Sequence, residues 1–130
     1  MRPLVLLDRQ PHAEASAAVW AAIESNLSEG LLVAHAVTTI HYLIRKELGF
    51  PRSRRAVLAM MRVFRVAAAD AHVIQDALQL SMPDFEDSVT AAAARLAKCD
   101  FIVTRDPKGF RGSPLRVLTP EEAIPLLGRD

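Results

Sequence analysis

The chain has 130 residues, with 16 Lys and Arg against 15 Asp and Glu, so its formal net charge is +1. This balance gives no global argument for a polyanionic or membrane partner, and a hydrophobic fraction of 51% excludes intrinsic disorder. No apolar run reaches the length of a membrane span, and a single cysteine, Cys99, favours a reducing cytoplasmic location. We expect one domain over residues 1–130.

Short aliphatic runs alternate with longer, alanine-rich segments of helical spacing. In chain order we predict strand Leu4–Leu7, helix His12–Leu27, strand Leu31–Ala34, helices Val37–Leu48 and Ser53–Arg62, and strand Phe64–Ala67. Helices Asp70–Leu80 and Phe85–Lys98, strands Phe101–Val103 and Arg116–Leu118, and helix Glu121–Leu127 follow. Each strand is apolar enough to be buried on both faces. This alternation favours an α/β fold, a three-layer α/β/α arrangement with a mainly parallel sheet.

Two helix ends and several packing residues can be assigned from local pattern. Gly49 is the expected stop of the second helix, and Thr119 is the expected cap of the last. The single cysteine suits a core position, and His41 is expected to be a hydrogen-bonded core histidine. The remaining assignments are Met60 and Met61 as core residues and Trp20 as a packing or oligomer contact.

Charge is distributed unevenly despite the balanced total. Residues 45–65 contain seven cations and one anion, whereas residues 66–94 contain five acids and no cation. Each block is typical of a solvated helix face. Together they also fit an acidic pocket for divalent cations beside a basic surface for a polyanion.

Carboxylates stand just beyond predicted strands, where open α/β sheets bind ligands. Asp8 follows the first predicted strand, and Asp106 follows the fourth. Asp84 and Asp87 open the helix that leads into that fourth strand. Clusters of oxygen ligands select Mg²⁺ or Mn²⁺, which can assist phosphodiester hydrolysis. Each acid in the second half also has a structural interpretation, as a helix cap (Asp84), a partner of the helix dipole (Asp87) or a turn residue (Asp106).

Other kinds of site have little support. The sequence contains no glycine-rich phosphate loop and no nucleophile elbow, and its four histidines and one cysteine lack zinc-ligand spacing.

Three segments resemble the C-terminal half of PIN domains, namely Pro83–Ala94, Asp100–Asp106 with Phe110, and Val117–Glu122. Ala34–Leu43 resembles the second strand and following helix of the same family. The resemblance covers nearly the whole chain, which is similar in particular to bacterial PIN proteins grouped near VapC-type toxins.

This resemblance implies a metal-dependent endoribonuclease that uses Mg²⁺ or Mn²⁺, acts on RNA, forms a homodimer and is the toxin of a toxin–antitoxin pair. The implied catalytic residues are Asp87, Asp106, Asp84 and Thr104, and the implied metal ligands are Asp87, Asp106, Asp84 and Asp8. The candidate contacts to RNA phosphates are Arg45, Lys46, Arg52, Arg54 and Arg55.

The chain departs from the family pattern at two places. Asp8 is followed by Arg9 rather than by a small or polar residue and Asn, and the stretch Leu6–His12 resembles a region downstream of the family's first catalytic Asp. On that register the family's first strand and its metal ligand are expected to be absent from this chain. Thr39 stands where many members have Glu. Because losing a central strand would strip hydrogen bonds and apolar cover from its neighbours, we predict that Leu4–Leu7 fills that position, with Asp8 at its carboxyl end.

The weakened acid set supports a second interpretation, a catalytically degenerate PIN fold that acts as a binding or dimerisation module. A third interpretation is a small-molecule-binding α/β domain of flavodoxin-like layout, which has no visible phosphate-binding loop to support it.

Overall fold

The computed structural model describes residues 4–7 and 14–128. The strands in this part of the chain are β1 (Leu4–Leu7), β2 (Gly30–Val33), β3 (Arg65–Ala67), β4 (Phe101–Thr104) and β5 (Arg116–Leu118). The helices are α1 (Glu14–Glu24), α2 (Ala34–Leu48), α3 (Phe50–Val63), α4 (Ala71–Leu78), α5 (Phe85–Leu96) and α6 (Pro120–Ala123), with 3₁₀ helices at Pro107–Phe110 and Ile124–Leu126. The predicted order of elements is confirmed, with boundaries that differ by a few residues. The predicted start of the first helix lies outside the described residues.

The five strands pair in parallel, in the order β3-β2-β1-β4-β5. Strand β1 is central, and its last residue, Leu7, lies opposite Thr104 of β4. Both the predicted fold class and the predicted central position of Leu4–Leu7 are confirmed. Strand β1 fills the central position that the family's first strand would occupy in the sheet.

The order of the strands creates a switch point between β1 and β4. From β1 the chain adds β2 and β3 on one side of the sheet, and then β4 and β5 on the other. Sheets of this kind bind ligands beyond the carboxyl ends of the strands where the order reverses. A ligand site is therefore expected among the residues that follow β1 and β4.

Both faces of the central strands are buried. Val5 and Ile102 pack in a cluster with α4 and α5, whereas Leu6 and Val103 pack in a second cluster with α1, α2 and α3. This alternation is the period of two expected for a strand between two helical layers. Helix α5 presents seven consecutive buried residues, 88–94, because its small side chains allow it to lie close to the sheet.

The edge strands depart from the prediction that every strand is buried on both faces. Arg65 and Val66 of β3 and Arg116 of β5 are exposed, because the helical layers cover the sheet's edges less fully than its centre.

On helix α3, Met61 is 52% exposed, whereas Met60 is buried. The prediction of Met61 as a core residue is wrong, since successive residues of α3 point about 100° apart.

Two of the other packing predictions agree with the structure. Cys99 is buried, and Trp20 packs edge-to-face against Phe64 with ring centroids 4.8 Å apart. The predicted hydrogen bond of His41 is confirmed, since its Nε2 lies 3.2 Å from Oγ of Ser53, but the side chain is half-buried rather than part of the core.

Local chemistry explains where several helices begin and end. Gly49, with a φ of 89°, separates α2 from α3, and Thr119 forms a capping box with Glu122 at the start of α6. The predicted last helix is instead a short α-helix followed by a 3₁₀ turn, because Pro125 has no amide hydrogen to continue the α-helical pattern. Within residues 4–7 and 14–128, no helix is long and apolar enough to cross a membrane.

Candidate metal centre

Two carboxylates meet where α5 begins and β4 ends. A Cβ atom placed on Gly109 would lie 2.9 Å from Oδ2 of Asp87 and 3.3 Å from Oδ2 of Asp106. Both oxygens therefore lie against the backbone of one 3₁₀ helix, at the carboxyl edge of the sheet. The structure brings together two of the acids that the sequence singled out.

The first turn of α5 positions Asp87. The backbone N–H of Asp87 donates to Oδ1 of Asp84 at 2.9 Å, and the N–H of Ser88 donates to the Asp84 carbonyl at 3.0 Å. Asp84 is thus the N-cap of α5, which confirms its structural interpretation. Asp87 lies at the positive end of the helix dipole, where a negative charge is favoured.

A buried threonine positions Asp106. Thr104 is the last residue of β4 and is only 4% exposed, and its hydroxyl accepts a hydrogen bond from the N–H of Asp106 at 3.1 Å. The carbonyl of Asp106 accepts from the N–H of Gly109 at 3.3 Å. These two bonds form a tight turn that brings Gly109 back toward both carboxylates.

Asp8 and Thr39 stand at the two remaining positions of the family's acid pattern, and neither adds a described carboxylate to this pair. Asp8 lies outside the described residues, although the strand that precedes it ends at Leu7, opposite Thr104. Thr39 supplies no carboxylate, and its hydroxyl donates to the carbonyl of His35 at 2.9 Å. In the part of the chain that the structure describes, no group of three or more His, Cys, Asp or Glu side chains could hold a metal ion.

The pair nevertheless fits a hard divalent cation. Mg²⁺ is usually held by one or two carboxylates, with water and substrate phosphate completing its ligands, rather than by a cage made only of protein. Gly109 has no side chain, and the space that a Cβ would occupy lies against both carboxylates. Asp106 is exposed and Asp87 half-buried, so both remain accessible from solvent.

Sequence reasoning missed the residues that connect α2 to this edge of the sheet. Nε2 of His35 lies 3.1 Å from Oγ1 of Thr90 and 3.9 Å from Oε1 of Glu86. Glu86 and Thr90 belong to α5, on either side of Asp87 in the sequence. The position of His35, just after β2, was a usable signal, because that is where ligand-facing residues of parallel sheets occur.

The predicted RNA contacts lie elsewhere. Arg45 is eleven residues beyond Ala34, about 16 Å along the axis from the end of α2 that contacts α5. Arg52, Arg54 and Arg55 follow in the first turns of α3. All of the predicted cations are exposed, and the Arg45 guanidinium lies 5.7 Å from the centroid of the Phe50 ring. The structure therefore places these cations on a separate exposed basic surface.

Comparisons with known proteins agree with this architecture. A family model described as PIN domain matches residues 4–108, a range that includes β1 and both converging carboxylates. A chain of the VapBC2 structure from Rickettsia felis, bound to a DNA fragment from their promoter, has a TM-score of 0.68 at 12% identity, covering 88% of this chain and 96% of that chain. A chain of the VapBC-1 structure from nontypeable Haemophilus influenzae has a TM-score of 0.65 at 10% identity, covering 91% and 98%. No curated protein matches the sequence.

Proposed function

Because the chain belongs to the PIN domain family, we propose that it is a metal-dependent endoribonuclease whose metal ion is held by Asp87 and Asp106. The observation that carries this proposal is the convergence of the two carboxylates on Gly109, beside the switch point of the sheet. We assign Asp8 as the third acid, because it follows β1 in the sequence and β1 ends opposite Thr104.

The residues of the candidate metal centre divide into metal ligands and residues that position those ligands. Asp87 and Asp106 would hold Mg²⁺ or Mn²⁺ through their carboxylate oxygens. The bound ion would supply Lewis-acid chemistry for water and for the scissile phosphate. Asp84 and Thr104 contribute by hydrogen bonds to the backbone amides of those two acids, so we assign them positioning roles.

We assign the exposed basic surface of α2 and α3 to RNA that flanks the cleavage site. Because these cations lie at the far end of α2 and in the first turns of α3, they would contact phosphates distant from the scissile bond. Each phosphate neutralised on a single strand adds about 0.7 to the slope of log affinity against log salt. Replacing Arg52, Arg54 and Arg55 by Ala should therefore flatten that slope, with little change in metal affinity.

We propose that the chain is the toxin of a toxin–antitoxin pair in the cytoplasm, restrained by an antitoxin protein and present as a homodimer. The support is the fold that it shares with chains of two VapBC structures. The chain can be purified from cells of its source organism, and the mass of the intact complex can then be measured. This measurement tests both the antitoxin partner and the homodimer.

Calorimetric titration with Mn²⁺ and an RNA cleavage assay test the metal centre. Asp87→Asn and Asp106→Asn should each abolish saturable Mn²⁺ binding and cleavage while the circular dichroism spectrum stays that of the wild type. Asp76→Asn is the matched control, because it makes the same chemical change at a carboxylate outside the candidate metal centre. Asp76 lies on α4, and its Oδ2 is 3.6 Å from Nε2 of His72. Wild-type cleavage by the Asp87 variant would disprove the assignment.

One observation favours a second candidate function, a binding or dimerisation module without activity. Within residues 4–7 and 14–128 the carboxylate pair is not joined by a third ligand, and Thr39 supplies none. This candidate predicts no Mn²⁺ binding by the wild-type chain together with an intact homodimer or antitoxin complex.

A further inference from the structure

A chain of hydrogen bonds crosses from α2 to the turn that carries Asp87. His35 lies at the start of α2, and its Nε2 meets the hydroxyl of Thr90, one turn into α5. That hydroxyl also donates to the backbone carbonyl of Glu86 at 3.2 Å. We propose that His35 is a positioning residue for Asp87, acting through the buried hydroxyl of Thr90. The metal-binding part of this inference rests on the proposed function.

Counting protons assigns the direction of each bond. A threonine hydroxyl has one hydrogen, and we assign it to the carbonyl of Glu86, which can only accept. The hydroxyl can therefore only accept from His35, which requires a hydrogen on Nε2 of the imidazole. The carboxylate of Glu86, whose Oε1 lies 3.9 Å from the same nitrogen, favours that hydrogen electrostatically.

Burial of the Thr90 hydroxyl raises the cost of breaking the link. Thr90 is fully buried, within the stretch of α5 that packs against the sheet. A buried hydroxyl that loses its partner is costly, because no water replaces it. The donor from α2 and the acceptor in the first turn of α5 are thus held together through one hydroxyl.

The link connects α2 to α5, the helix that carries Asp87. Helix α2 begins directly after β2, so the position of His35 is set by the sheet. The carbonyl of Glu86 immediately precedes the amide of Asp87, which is itself bound to the Asp84 cap. Fixing this peptide from the α2 side limits rotation of the first turn, and so limits displacement of the Asp87 carboxylate from Gly109.

Variants of the two partners separate the hydrogen bond from side-chain volume. Thr90→Val removes the hydroxyl at nearly constant volume, and Thr90→Ser retains it. His35→Leu removes the donor, whereas His35→Gln keeps an N–H at a similar distance from the helix. His72→Leu is the matched control, because His72 is an exposed histidine on α4.

The first measurement uses metal-free protein. Nitrogen-15 NMR of the imidazoles should show His35 with its hydrogen on Nε2, and this signal should change in the Thr90→Val variant. The amides of Asp87 and Ser88 should exchange with solvent faster in Thr90→Val and in His35→Leu, and at the wild-type rate in Thr90→Ser, His35→Gln and the control.

The second measurement is Mn²⁺ affinity by calorimetry. We expect a loss of about tenfold in Thr90→Val and in His35→Leu, the lower end of the effect of removing groups that orient metal ligands. The double variant should lose no more than either single variant, because both remove the same link.

The outcomes distinguish this inference from the proposed function. Wild-type amide exchange in Thr90→Val, or additive losses in the double variant, would overturn the positioning role. Absence of Mn²⁺ binding by the wild-type chain would instead refute the proposed metal centre, and the NMR and exchange data would still decide whether His35 fixes the first turn of α5.

Discussion

Replacing Gly109 by Ala is the sharpest test of the converging carboxylates. The added Cβ would lie 2.9 Å from Oδ2 of Asp87, so that oxygen must retreat by about 0.5 Å to reach the 3.4 Å at which ordinary contacts begin. Metal–ligand distances vary by only about 0.2 Å around their ideal values, so this displacement exceeds the tolerance of a metal site. We expect Mn²⁺ affinity to fall at least about tenfold, which corresponds to roughly 1.4 kcal/mol.

The same substitution should not destabilise the metal-free protein. Gly109 is not among the glycines with positive φ, so alanine fits its backbone without strain. Removing a glycine also lowers the conformational entropy of the unfolded chain, which stabilises the native state by about 0.4–1 kcal/mol. The atoms nearest the new methyl group are the carboxylate oxygens of Asp87 and Asp106, which are the ends of flexible side chains and can move away from it at little cost. Thermal unfolding without metal should therefore give a Tm equal to or slightly above that of the wild type.

A second glycine provides the control. Gly112 has a φ of 89°, and its Cβ would lie 2.5 Å from the carbonyl oxygen of Ser81. Strain of this kind costs about 1–3 kcal/mol, so Gly112→Ala should lower Tm while folded protein keeps its Mn²⁺ affinity. Unchanged Mn²⁺ affinity in Gly109→Ala would show that the two carboxylates do not bind the metal ion while held against residue 109. That result would refute the candidate metal centre described above.

Three further predictions concern stability. Asp84→Ala should lower the free energy of unfolding by about 1 kcal/mol, whereas Asp84→Asn should keep the cap and change it little, as thermal melts can show. In urea, Met60→Ala should cost about 2–5 kcal/mol and Met61→Ala less than about 0.5 kcal/mol, and equal losses would contradict their different burial. Burial raises the pKa of the Cys99 thiol from 9.0 to about 11, because desolvation disfavours the thiolate. Above pH 9 the unfolded chain binds fewer protons than the folded chain, so the free energy of unfolding should fall as pH rises toward 11. Comparison of urea midpoints at pH 8 and pH 10 should show a larger fall in the wild type than in Cys99→Ala.

The element types and their order were accessible from the sequence. Hydrophobic period and capping chemistry depend on residues a few positions apart, and Gly49, Thr119 and Asp84 all act at the helix ends where the sequence places them. Family resemblance added the roles of the acids, and the requirement for a central strand predicted the position of Leu4–Leu7. The prediction for Met61 disregarded the helical period, which turns it away from the buried Met60. The exposed residues of β3 were not predictable from a local pattern, because their burial depends on how far the helical layers cover the sheet.

The arrangement of the candidate site was decided only by tertiary structure. Strand order is set by pairing between segments far apart in the chain, and it places the carboxyl end of β4 beside that of β1. The contact of Gly109 with Asp87 requires the 3₁₀ helix after β4 to fold back onto α5. His35 and Thr90 are 55 positions apart and meet only because α2 and α5 both begin at the carboxyl edge of the sheet. A local pattern records which residues can bind a metal or donate a hydrogen bond, whereas packing of the two helical layers on the sheet determines which of them meet.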